Sequence, residues 1–314
     1  MVNLRPMRSP LVLSLLLLAA TPAGADALIG GLRVDCRGEP SASPTVILES
    51  GAFGTADDWA WVIADLAESG RVCAYDRAGV GESAPKSGGE DVVSIAKELA
   101  GLLDRMGEAR PVILVGHSNG ALYTETFAAL FPRRVAGLVY VNGVTSNDLA
   151  DPLLVKDLTH ERHLSDLAAT AGDLGLAPLG AGSIVKAEGL PPDATERKRS
   201  ALSRPRKLRI ARDEDRAIVP GLATTVDLGG SPPQIPTVSI YGGPDPGSPL
   251  AAAWRRAEAV PSERAPRGWT LEAVGATHVS PLARDRAYIV AAVNWLRSIA
   301  ATAPATSPGA DVGH

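Results

Sequence analysis

The sequence predicts an α/β protein: a mainly parallel sheet with helices on both faces. Three observations predict it. Short β-branched runs alternate with segments of helical spacing. Those runs are apolar throughout, as in strands covered on both sides. The composition, 45% hydrophobic against 21% charged, suffices for a large core. After a Pro/Ser-rich turn at 39–44 comes Thr45-Val46-Ile47-Leu48, read as a buried strand. Residues 59–69 have helical spacing, and Arg71-Val72-Cys73-Ala74-Tyr75 reads as a strand. Residues 92–106 set Val92, Ile95, Ala96, Leu99, Leu102 and Leu103 on one helical face. Val112-Ile113-Leu114-Val115 is a strand, 121–131 a helix stopped by Pro132, and Val135–Val141 a strand again. The alternation lapses between about 145 and 236, where no long β-branched run occurs. It resumes with strands at Thr237–Tyr241 and 269–274 and closes with a helix at 286–300. Residues 301–314, rich in Ala, Pro, Ser and Gly, read as a disordered tail.

Composition narrows the function classes. A net charge of −4 offers no positive field for a phosphate backbone, and 4% aromatics leave few platforms for stacked bases. Two cysteines are too few for a disulfide scaffold or a Cys-rich zinc site. An enzyme or binder acting on small molecules remains. Residues 1–25 carry Arg5 and Arg8, then an apolar run from Leu11 to Ala20, then Ala23-Gly24-Ala25. This reads as a signal peptide with a small-x-small cleavage site, since the run is half of the roughly 20 residues that span a bilayer. Its removal loses two arginines and takes the charge from −4 to −6. The mature chain is expected to be secreted or periplasmic, without stable membrane insertion, in a compartment where cysteines can oxidise.

Gly116-His117-Ser118-Asn119-Gly120 fits G-x-S-x-G. The string alone is weak, but an apolar strand enters it and a helix leaves it, which is the context a nucleophile elbow needs. The helix start offers free N–H groups to a developing oxyanion. Ser118 is the candidate nucleophile.

With Ser118 in place, the chain resembles the α/β-hydrolase fold superfamily, in its branch of serine esterases, lactonases and cofactor-free haloperoxidases. The resemblance rests on LESGAFGTADDW at 48–59, YDRAGVGES at 75–83, VGHSNG at 115–120, GGPD at 242–245 and GATH at 275–278. It implies an eight-stranded sheet, with a core at 26–144 and 237–300 and a helical cap at 145–236 over the catalytic edge. The family's oxyanion loop often reads His-Gly-x; here Ser50-Gly51-Ala52 stands in its place. The backbone N–H groups of Ala52 and Asn119 are therefore the implied oxyanion donors. The family's strand order also sets the strand at 33–36 beside the one holding Cys73, which implies a Cys36–Cys73 disulfide.

Of five histidines, His117 adjoins the nucleophile, where its ring should point away from the hydroxyl; His160 and His163 fall in the insertion and His314 in the tail. His278 remains, after a late strand, as the order Ser…Asp…His requires. Asp245, in a turn-rich loop after the strand Thr237–Tyr241, is the favoured orienting acid, with Asp148 as its rival. The expected function is an exported serine hydrolase cleaving a carboxylic ester or lactone through an acyl-enzyme, without metal or organic cofactor. Acyl transfer or perhydrolysis on the same triad, or a catalytically silent binding protein of this fold, are the alternatives. The segment Gly79–Ala84 imitates a dinucleotide fingerprint, but Pro85 follows where a helix should start. His160-Glu161-Arg162-His163 lacks the i, i+4 spacing of a zinc motif. Nine Lys/Arg between 197 and 216 read as a solvated cap face; turned inward, they would favour anionic esters.

Overall fold

The computed structural model describes residues 26–85, 89–176, 189–232, 234–242 and 247–302. The expected signal peptide, most of the expected tail and Asp245 lie outside them. Eight strands form one sheet in the order β1-β2-β4-β3-β5-β6-β7-β8. They are β1 (Ala27–Ile29), β2 (Leu32–Arg37), β3 (Val46–Glu49), β4 (Val72–Tyr75), β5 (Val112–His117), β6 (Val135–Val141), β7 (Thr237–Tyr241) and β8 (Gly268–Glu272). From β4 to β8 every neighbouring pair is parallel, while β1 pairs with β2 and β2 with β4 in antiparallel fashion. The strand at 27–29 is only three residues long and largely exposed; its antiparallel pairing with β2 makes it a strand.

Alternation along the strands distributes two cores. Val46, Leu48, Val72, Ala74, Ile113 and Val115 face α1 (Ala60–Ala67) and the last helix, where Trp59, Ile63, Ile289 and Leu296 meet them. Ile47, Cys73, Tyr75, Leu114 and Leu138 face α2 (Val92–Arg105) and α3 (Asn119–Leu130) on the opposite side. All six residues assigned to the apolar face of α2 are buried. Asp91 caps that helix, accepting from the N–H groups of Val93 and Ser94. The Cys36–Cys73 disulfide joins directly opposed residues of β2 and β4.

Between β6 and β7 the chain builds α4 (Pro152–Asp173), α5 (Pro192–Leu202) and α6 (Pro205–Asp227), which pack on one another and on α3. Buried Val92, Leu122 and Tyr123 meet Leu158, Ile218 and Leu222 of these inserted helices. Then α7 (Pro249–Arg264) lies against β7 and β8, and α8 (Ala287–Thr302) closes the fold, two residues past the start expected for the tail. Among the described residues no helix is long and apolar enough to cross a membrane.

Candidate active site

The loops after β3, β5, β6, β7 and β8 leave the same edge of the sheet, outside the carboxyl ends of parallel strands. They floor a cavity of about 660 Å³ that collects Ala52, Ser118, Asn119, Asn142, Gly242 and His278. The inserted helices and α7 supply its roof, with Leu158, Leu164, Ile218 and Trp254 as the apolar wall.

Ser118 sits between β5 and α3 at φ 54°, ψ −126°, a left-handed conformation rare for a residue with a side chain. Its N–H donates to Val141 O (3.1 Å), and its carbonyl accepts from Ala121 and Val144. The positive φ belongs to the serine itself. The flanking glycines serve a different need, close approach: a Cβ on Gly116 would lie 2.5 Å from Gly120 O, and one on Gly120 would lie 2.4 Å from Glu49 O. As first residue of α3, Asn119 presents an N–H that the helix leaves unpaired. Across the cavity, Gly51 lies so near the nucleophile that a Cβ there would sit 2.8 Å from Ser118 Cβ. Among the described residues the Ala52 N–H has no hydrogen-bond acceptor. Ser50, where the family often has His, turns its Oγ to Thr55 O and accepts from Trp59 Nε1, both at 2.9 Å. It thereby shapes the loop from within.

His278 lies on the loop after β8 and lines the cavity. Its backbone carbonyl accepts from Asn142 Nδ2 (2.9 Å) and His117 Nε2 (2.8 Å). The His117 ring is bonded to the His278 carbonyl rather than to the Ser118 hydroxyl. It enters the cavity wall, 4.8 Å from the His278 ring between centroids. Burial pushes its pKa down to about 4, so the ring is neutral, and bonding a carbonyl requires the proton on Nε2. Asn142, at φ 43°, also accepts from Gly242 N–H (2.8 Å), tying the end of β7 to the His278 loop. Neither residue was legible as functional, because three strand ends distant in sequence must first converge.

Asp148 accepts from Thr145 N–H (2.8 Å) through one oxygen, and its other oxygen has no partner among the described residues. Neither engages His278. Burial pushes this carboxyl up to about 8. The basic run contributes only Lys198 to the cavity, and Lys198 is ion-paired with Asp58. Arg197, Arg199, Arg204, Arg209, Arg212 and Arg216 each pair with a carboxylate elsewhere. The cavity's second cation, Arg255, is held by Glu272 at 2.7 Å. Asp157, Glu161, Asp215 and Glu258 complete the polar lining. Burial pushes Asp215 up to about 7 and Glu258 well above the usual carboxylate range.

With this arrangement in hand, the chain is placed among known proteins by residues 44–268, which match the family described as alpha/beta hydrolase fold. The chain belongs to that family. It is similar over 122 residues, at 37% identity, to an AB hydrolase superfamily protein of Gibberella zeae, covering 35% of this chain and 36% of that one. It is 33% identical over 130 residues to 2-hydroxy-6-oxo-2,4-heptadienoate hydrolase of Pseudomonas putida, covering 40% and 47%. The chain thus spans less than half the length of these curated relatives. Among solved structures, a carboxylesterase study of Nitrososphaera gargenis gives a TM-score of 0.62 at 18% identity, covering 89% of this chain and 99% of that one. A laboratory-evolved variant of potato epoxide hydrolase gives 0.69 at 17%, covering 88% and 98%. These likenesses establish the fold and agree with the family match.

Proposed function

We propose that the protein is a serine hydrolase that cleaves a carboxylic ester or lactone through an acyl-enzyme. The observation carrying this reading is Ser118, strained at a strand-to-helix elbow in a cavity shared with His278 and two backbone N–H groups. In the proposed reaction Ser118 Oγ attacks the carbonyl while His278 takes its proton and returns it to the leaving alcohol. Asp245 fixes the imidazole tautomer, and the N–H groups of Ala52 and Asn119 receive the oxyanion. Water then hydrolyses the acyl-enzyme. The steps as written use no metal or organic cofactor. A hydroxyl nucleophile favours acyl chemistry over epoxide opening, for which a carboxylate nucleophile would serve.

The inserted helices act as the cap and set substrate choice. Among the described residues both cavity cations, Lys198 and Arg255, are already paired with carboxylates, so these residues offer no spare positive charge to an acidic substrate. A neutral ester should exceed its matched carboxylate-bearing analogue by about tenfold or more in kcat/KM, the equivalent of ~1.4 kcal/mol of unfavourable charge burial. Added salt should lower KM for the anionic ester by screening the repulsion. A KM that rises with salt would return the basic run to the pocket. The leader sequence and the disulfide together support export to an oxidising compartment. The central test is fluorophosphonate labelling of the mature chain with turnover of an ester and lactone panel. Labelling at Ser118, with kcat lost by several orders of magnitude in Ser118→Ala, is expected. Near-normal turnover by that variant would end the proposal.

A further inference from the structure

Arg77 follows β4 and is buried, yet it carries a permanent charge and five N–H donors. All five are used. Nε donates to Glu214 Oε1 and Nη2 to Glu214 Oε2, both at 2.7 Å. Nη1 donates to Glu49 Oε1 (2.7 Å) and to Ser50 O (2.6 Å). The remaining Nη2 donor reaches Gly51 O at 3.0 Å. Glu49, in turn, accepts from the Tyr75 hydroxyl. One side chain therefore grips two consecutive carbonyls of the loop after β3 and a carboxylate on the inserted helix α6.

The second of those carbonyls matters most. Gly51 C=O and Ala52 N–H belong to one peptide unit, which is planar and trans, so the two groups point in opposite directions. Holding the carbonyl on the guanidinium therefore fixes the direction of the N–H, and Gly51 itself is packed against Ser118. The loop needs such a hold. Phe53, one residue on, stands at φ 56°, costly for an aromatic residue, with its ring on Ala169, Leu202 and Leu208 of the inserted helices. Gly54 N–H also donates to Gly51 O (3.1 Å), but that bond lies within the strained loop and moves with it; Arg77 is what ties the carbonyl to the sheet and to α6.

We infer that Arg77 is a positioning residue that aims the Ala52 N–H at the oxyanion site, and that Glu214 locks it there, making the docked α6 part of the oxyanion machinery. The inference rests on the serine-hydrolase reading, with Ala52 as an oxyanion donor. A purely structural Arg77 would anchor α6 without affecting how well the site distinguishes an oxyanion from a thio-anion.

The test compares matched ester and thionoester substrates in wild type, Arg77→Lys and Glu214→Gln. Arg77→Lys keeps the charge but cannot reach all five acceptors; Glu214→Gln lies in α6 and keeps one carbonyl acceptor, so it remains informative where the first variant fails to fold. In either folded variant, kcat for the ester should fall at least tenfold with KM within about twofold. Removal of a whole oxyanion donor costs on the order of 10²–10³ in kcat, so a misaimed one should cost less. The ester-to-thionoester ratio of kcat/KM should move toward one. A folded variant that keeps the wild-type ratio, or loses only KM, overturns the inference while leaving the hydrolase reading intact. Wild-type protein that neither labels with fluorophosphonate nor turns over esters overturns both.

Discussion

At Ser118 the backbone bears a strain that its neighbours enforce: β5 enters beneath it, α3 leaves above it, and Val141 and Val144 fix its peptide groups. The catalytic reading of that residue extends to its orienting acid. Replacing such an acid with Asn keeps the shape but favours the wrong imidazole tautomer, a loss on the order of 10⁴-fold in the serine-protease example. Asp245→Asn should therefore cripple turnover. Asp148→Asn should cost little, because Asp148 caps its own turn through Thr145. Steady-state kinetics of the two variants decides the matter, and a crippled Asp148→Asn enzyme with normal Asp245→Asn turnover would reverse the assignment. Ser118 and His278 were legible because each sits in a short string whose flanking pattern gives its place in the fold. Asn142 and His117 were not, since their shared target, the His278 carbonyl, lies more than a hundred residues away in sequence.

On the scale of elements, the strands and the helices against them were readable from periodicity, and Val135–Val141 and Thr237–Tyr241 agree to the residue. The helix α3 was legible from its neighbours more than from its own pattern, because it is buried nearly all round. In the insertion, the basic run at 197–216 was legible as a solvated face: Arg197, Arg199, Arg204, Arg209 and Arg216 are exposed and paired with carboxylates, and Lys198 alone of its cations lines the cavity. The two buried carboxylates of α6, Glu214 and Asp215, were not legible at all. Asp215 accepts from Asn119 Nδ2 (2.8 Å) and from the Ser165 hydroxyl, linking α6 to α3 and α4. Burial pushes it up to about 7, Glu214 and Glu161 add to the rise, and the hydrogen bonds from Ser165 and Asn119 oppose it. The folded pKa thus exceeds the unfolded one. Its contribution to stability is complete below pH ~4 and is lost as pH rises through about 7. Asp215→Asn does not titrate, so its unfolding free energy should fall less steeply across that window, by up to about 1.4 kcal/mol per pH unit. Urea denaturation of both proteins from pH 4.5 to 7.5 measures the difference, and parallel curves would refute it.

For the molecule as a whole, the covalent link lies where the antiparallel edge of the sheet joins its parallel part, between β2 and β4. β2 is antiparallel to β4, so β1 and β2 extend the sheet beyond the β3–β4 pair without a crossover helix to bind them. The Cys36–Cys73 disulfide fastens this edge at directly opposed residues, 37 apart in sequence. On the chain-entropy account a loop of that length removes freedom from the unfolded state worth about 4 kcal/mol. Melting of a protein this size shifts by roughly 2–4 °C per kcal/mol, so reduction should lower Tm on the order of 10 °C. Activity below the transition should survive, because the bond lies on the far side of β4 from Ser118. Calorimetry of the protein with and without reductant, beside a Cys36→Ala, Cys73→Ala double variant, tests this. The double variant should match the reduced protein and ignore reductant. Equal Tm values for oxidised and reduced wild type, or two titratable thiols in the denatured, unreduced protein, would remove the bond from the account of stability.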